Sequence, residues 1–186
     1  MIPEAELVAT ERGLVPTGKG WFVLDARETQ WWERPGRGVL CEFAGAGVAG
    51  ATDFHRLGVN LTRLEPGEPM SMYHWEADQE DFLVLAGDAL LIVEGEERPL
   101  RAWDFVHCPP GTKHTIVGGE APCVILAVGT RDRSTGAGWG AYTVDAAAIR
   151  HGAGVDQETT EPSDAYARFA GSRLTAYRDG WLQPPP

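Results

Sequence analysis

The chain of 186 residues contains no apolar run long enough to cross a bilayer, so no membrane-spanning helix is expected. It also lacks any cluster of lysine and arginine. With Lys+Arg at 16 and Asp+Glu at 27, the formal net charge is −11 and the isoelectric point lies near 4.8. Phosphate backbones and anionic membrane surfaces repel such a surface, and neither nucleic acid nor a membrane is expected as a partner. Cysteine is scarce: Cys41, Cys108 and Cys123 are odd in number and widely spaced, which fits reduced thiols packing as small hydrophobes better than a disulfide framework. Residues 1–13 have no basic stretch followed by an apolar one, and a cytoplasmic location is expected. The acidic group Glu76, Asp78, Glu80 and Asp81 lacks the central glycine and regular oxygen spacing of a calcium loop. Gly45-Ala46-Gly47 and Gly136-Ala137-Gly138 read as flexible turns, because no strand-to-helix context makes them phosphate cradles. No Ser/His/Asp or Cys/His nucleophile set stands out.

What is present is a succession of short apolar runs. A hydrophobic content of 43% in a chain of this length suits one compact core. Strands are predicted over 57–64, 70–76, 82–85, 89–94, 105–108, 114–117 and 123–128, separated by glycine-rich turns, which argues for an all-β jelly roll or barrel. The chain divides into an N-terminal arm over 1–36, a barrel over 37–130 and a C-terminal extension over 131–186. In the arm, 21–25 reads as an added strand and Gln30-Trp31-Trp32 as an aromatic clamp. In the extension, helices are predicted over 144–150 and 164–177, the second with Ser163 as N-cap after Pro162. Tyr166, Phe169, Ala170 and Leu174 would form its apolar face, packed on the barrel or on a second subunit.

Chemistry concentrates between Gly67 and His114. Strand side chains alternate faces, so His74 and Glu76 point together while Tyr73 and Trp75 point to the other side. A polar break over 77–79 lets Glu80 open the returning strand. Pro109-Pro110-Gly111 forces a turn that presents His114 at the head of the next one. Inside a closed barrel all four side chains face one another, a metal pocket. Two imidazoles with one or two carboxylates suit a divalent ion, in the manner of non-haem iron sites that keep positions open for substrate and oxygen.

These residues resemble the cupin family. Its first motif, a glycine, a His-x-His pair, a glutamate and a glycine, is similar to Gly67, His74, Glu76, Glu80 and Gly87, with Glu76 in place of the second histidine. Its second motif is similar to Trp103-Asp104, Pro109-Pro110-Gly111 and His114, with Trp103 where glycine is usual and Gly118 where asparagine is. The resemblance implies a cupin jelly-roll β-barrel with short C-terminal helices, a metal held by His74, Glu76, Glu80 and His114, and a homodimer. An extra carboxylate makes the donor set harder, which favours iron or manganese; zinc and nickel also suit it. Glu76 has a second reading, as a catalytic general base beside a bound water.

Three function classes fit. The first is a metal-dependent, oxygenase-like enzyme acting on a small molecule. The second is a sugar or nucleotide-sugar isomerase or epimerase, which would want a cationic wall, for which only Arg63, Arg101 and Lys113 lie near the motifs. The third is a non-catalytic small-ligand-binding cupin. His107 reads as a cavity residue or a satisfied core histidine. His55 and His151 read as surface or helix-capping residues. Met70 and Met72 share the face of His74 and read as core filler or an apolar substrate wall.

Overall fold

The computed structural model describes residues 1–43, 48–52, 54, 56–130 and 138–182. Gly45-Ala46-Gly47, Gly136-Ala137 and His55 lie outside them. Strands β1 (Glu6–Thr10) and β2 (Gly13–Thr17) form a separate hairpin. A seven-stranded sheet contains β3 (Gln30–Glu33), β4 (Val39–Glu42), β5 (Leu57–Leu64), β7 (Glu80–Ala86), β10 (Phe105–Cys108), β12 (Cys123–Thr130) and β14 (Arg173–Ala176), in the order β10-β7-β12-β5-β4-β3-β14. A five-stranded sheet contains β6 (His74–Glu76), β8 (Asp88–Val93), β9 (Glu96–Arg101), β11 (His114–Gly118) and β13 (Gly140–Tyr142), in the order β13-β6-β11-β8-β9. All named strand pairs are antiparallel, and the all-β jelly roll is the fold observed.

The principal core lies between the sheets. Phe82 and Val84 of β7 and Ile125 and Ala127 of β12 meet Ala89 and Leu91 of β8 and Ile116 of β11, and all are buried. Cys108 and Cys123 are buried in this layer and Cys41 in another apolar cluster, all three as free thiols. Burial pushes the Cys41 and Cys123 thiols up to about 12 and about 11. The outer face of the five-stranded sheet is closed by helix α1 (Ala146–Arg150), whose Ala147 and Ala148 pack with Tyr73 and Ile92. Asp145 caps that helix by accepting from the Ala148 amide at 2.9 Å, and His151 ends it. The outer face of the seven-stranded sheet carries Trp31, fully buried, with Tyr177 and Trp181 at 5.9 and 5.4 Å between ring centroids.

Several local expectations change. Residues 21–25 form no strand; Trp21 makes only an isolated bridge to Glu4, and Val23 is exposed. Gln30-Trp31-Trp32 is strand β3 rather than a free clamp. Of the expected strand 70–76 only His74–Glu76 is regular, and Met72 leaves Met70 to pack with Tyr142, Val155 and Ala165. The long terminal helix is replaced by a single turn, α2 (Pro162–Ala165), with Glu161 rather than Ser163 at its N-cap. The chain after Gly171 extends as β14, because β3 offers an open edge whose backbone groups need partners. Strand β9 adds to the expected set. It is polar and contains Pro99, which a sheet tolerates at an edge, where β9 lies.

Trp103 holds a backbone conformation that favours glycine. Between β9 and β10 its φ is +76°, the left-handed region, and its amide donates to the Val84 carbonyl at 2.7 Å while its side chain is 74% exposed. A bulky L-residue pays for that conformation with roughly 1–2 kcal/mol. Trp103→Gly should therefore raise stability by about 0.5–1 kcal/mol, read as a higher urea midpoint with an unchanged slope. An unchanged or lower midpoint would contradict the strain at this turn.

Candidate metal centre

The rows that build the core also aim the polar groups. On β7 Glu80 precedes Phe82 and Val84 on the inward face, and on β11 His114 precedes Ile116. His74 opens β6 and lies directly opposite His114 across the ladder. The imidazoles thus come from the five-stranded sheet and the carboxylate from the seven-stranded one. β13 holds β6 in place with Tyr142 opposite His74 and Gly140 opposite Glu76, where a side chain would run into the Trp75 carbonyl.

His74, Glu80 and His114 each offer a ligand atom, and these atoms lie within 4.8 Å of one another. Glu80 Oε2 stands 3.5 Å from His74 Nε2 and 3.2 Å from His114 Nε2. Donors sharing one ion at about 2.0–2.2 Å would be about 2.8–3.6 Å apart for angles between about 90° and the tetrahedral value, so both separations suit a common ion. Glu76 stands beside this set rather than in it: its Oε1 is 3.6 Å from His74 Nε2 and the side chain is 30% exposed.

Both imidazoles are oriented by the backbone. His74 Nδ1 lies 2.8 Å from the Met72 carbonyl and His114 Nδ1 3.0 Å from the Thr112 carbonyl. A carbonyl only accepts, so each Nδ1 carries a hydrogen and each Nε2 is the atom turned to the cavity. Glu80 Oε2 and His114 Nε2 are buried, and their close approach lacks the geometry of a hydrogen bond, so neither has such a partner. Aligned imidazoles, a half-buried carboxylate and two unsatisfied buried atoms between them fit a divalent ion.

In the absence of an ion, the same cluster competes for protons. Burial opposes charge on His74, but Glu76 and Glu80 outweigh it and lift its pKa to about 9. Burial likewise opposes charge on His114, while Cys108 and Glu80 lift it to about 9. For Glu80 burial works against ionisation, yet His114 and His74 hold it well below the usual carboxylate range.

A cavity of about 200 Å³ adjoins these residues. Its wall includes Met70 and Phe82 and, beyond the expected set, Arg34, Asn60, Thr62, Trp139, Tyr142 and Tyr166. Asn60 and Thr62 share the inward face of β5, a period-two signal available in the sequence; the others come from segments without a motif. Among the described residues of the wall, neither Arg63, Arg101 nor Lys113 appears. His107 belongs to neither cavity nor core, because its strand face turns outward: it is 51% exposed and its Nδ1 pairs with Asp81 at 2.6 Å. His151 contacts Glu97 at 3.2 Å on the surface.

Residues 60–129 match the family model of the cupin domain. This segment is a cupin domain. No curated protein matches the chain. Among solved structures it is similar to the DMSP lyase DddQ from Ruegeria pomeroyi, at 25% identity over 52% of this chain and 48% of that one, with a TM-score of 0.44. It is also similar to a cupin protein from Bacteroides fragilis, at 22% identity over 44% and 70% of the two chains and a TM-score of 0.40. KdgF from Halomonas sp. is similar at 18% identity over 52% and 82%, with a TM-score of 0.42. The chain thus spans about half the length of the lyase. No helix among the described residues is long and apolar enough to cross a membrane.

The raised imidazole pKa values set a pH window for the protein stripped of metal. Groups lifted from 6.5 to about 9 stabilise the fold fully below 6.5 and lose that contribution as pH rises through 9. Glu80, lowered from 4.5, contributes above 4.5 and loses its effect on acidification. Chelator-treated protein should show its highest urea midpoint between pH 4.5 and 6.5 and a decline from 6.5 to 9. A midpoint that climbs across that upper range would refute the buried charge cluster.

Proposed function

We propose that the chain is a small-molecule metalloenzyme of the cupin type, in which His74 Nε2, His114 Nε2 and a Glu80 oxygen hold one divalent ion. Iron(II) or manganese(II) is the preferred occupant, and zinc or nickel fits the same atoms. The observation that carries this reading is the convergence of two backbone-anchored imidazoles on a half-buried carboxylate whose Oε2, like His114 Nε2, is buried without a hydrogen bond. When bound, such an ion supplies Lewis acidity and open positions for a substrate and for oxygen, which supports an oxygenase-like reaction.

The protein's own groups then divide the work. Glu80 neutralises charge between the sheets, and the two carbonyls keep the imidazole rings aimed. Glu76, next to the cluster and partly open to solvent, accepts the proton of a substrate or water as general base. Aromatic side chains limit water around the histidines, with Trp139 and Tyr142 centroids 6.2 and 5.9 Å from His74. A cavity of about 200 Å³ is below the range of about 300–1,000 Å³ typical of drug-sized ligands, which favours a small substrate over a nucleotide-sugar.

His74→Ala and His114→Ala should each lower metal affinity at least about tenfold with the circular dichroism spectrum unchanged, as read by elemental analysis after dialysis. Glu76→Gln should keep the metal and lose about 10²–10⁴-fold in turnover, screened as oxygen consumption with small carboxylates, diketones and phenols. Wild-type metal content in both histidine variants would refute the site, and full turnover in Glu76→Gln would refute the base.

A further inference from the structure

A buried charge without a partner is costly, so a fold that keeps one must gain from it elsewhere. Arg34 follows β3 and lines the cavity. Its Nη1 donates to the Met70 carbonyl at 3.3 Å, but Nε and Nη2 are buried and make no hydrogen bond. These two atoms form one edge of the guanidinium, two parallel donors at the spacing of a carboxylate's two oxygens.

The surroundings favour an anion at that edge. Burial pulls the Arg34 pKa down to about 10, with the Arg37 charge adding to the effect, so the group stays cationic at neutral pH. Arg37 lies over the Tyr166 ring at 4.2 Å and contributes a second positive charge nearby. Glu42 and Glu68 are near enough to favour the Arg34 charge, yet the Nε and Nη2 hydrogens go unused. Meanwhile Glu76 and Glu80 on the same wall oppose a ligand carrying two negative charges close together.

We infer that Arg34 anchors the substrate, taking a monoanionic carboxylate in a two-point pair on its Nε and Nη2 edge, so that the small molecule presents its remaining groups to the rest of the cavity. This substrate class rests on the metalloenzyme reading only for what happens after binding; the anchor itself needs no ion.

The test uses full-length protein, metal-loaded and chelator-treated, titrated calorimetrically with pyruvate, lactate and benzoate and with the methyl ester of each, methylphosphonate and methanesulfonate serving as other anions. At least one carboxylate should bind, its ester should not, and Arg34→Met and Arg34→Lys should each weaken it roughly 10–100-fold. Arg34→Met should also unfold at the wild-type temperature or above, since it removes two buried donors that make no hydrogen bond; a purely structural arginine would lower it in both variants. Should Arg34→Met fail to fold, Arg34→Lys decides. Arginine-dependent carboxylate binding with no metal uptake would leave the anchor standing and sink the metal centre. Metal uptake with no carboxylate binding, with binding equal in Arg34→Lys, or with preference for the phosphonate or sulfonate would overturn the anchor.

Discussion

Strand alternation across two facing sheets is the constraint on which the cavity rests. Glu80, Phe82 and Val84 share one row, and His114 and Ile116 share another. The apolar members of each row lock the sheets together, each buried aliphatic or aromatic side chain contributing about 1.5–3 kcal/mol. Polar members of the same rows are then carried inward whatever their own hydration cost. His74 joins them through its pairing with His114. The cluster is therefore held by packing that it does not itself provide, and a change at Phe82 or Ile116 would disturb it as surely as a change in a ligand-type residue.

The same alternation explains what was legible in the sequence. His74 and Glu76 on one face, Glu80 at the start of a return strand and His114 after Pro109-Pro110-Gly111 all follow from period two and from turn chemistry, and His74, Glu80 and His114 each open a strand. Spacing alone does not decide between the two roles of Glu76, whose Oε1 stands 3.6 Å from His74 Nε2 at the open side of the cluster. Arg34 reaches the cavity from the turn after β3, Trp139 and Tyr142 from the edge strand β13 and its approach, and Tyr166 from the C-terminal segment, where no motif marks them. The terminal segment misled for a physical reason. Tyr166, Phe169 and Leu174 fit a helical stripe, but the edge of β3 captured Leu174 as a strand residue, and tertiary pairing overrode local periodicity.

The electrostatics of the cavity run against those of the surface. A chain of net charge −11 places Arg34 in its wall and leaves two of the three guanidinium nitrogens without hydrogen bonds. Glu76 and Glu80 give the same cavity a carboxylate side, so it is polarised across a short distance. Such a gradient orients a ligand with unlike ends before any bond changes, at no cost of reorganisation during a reaction.

The groups that aim His74 and His114 are main-chain carbonyls, of Met72 and Thr112. Residue type at those two positions does not alter the acceptor, since every amino acid carries one. Ring orientation is thus inherited through the path of the polypeptide; position 112 is free to vary so long as the trace is kept, and position 72 only within what its buried packing against Tyr142 and Val155 allows. An engineer who alters the loops there by insertion would lose the aim at once, while one who alters only the Thr112 side chain would retain it.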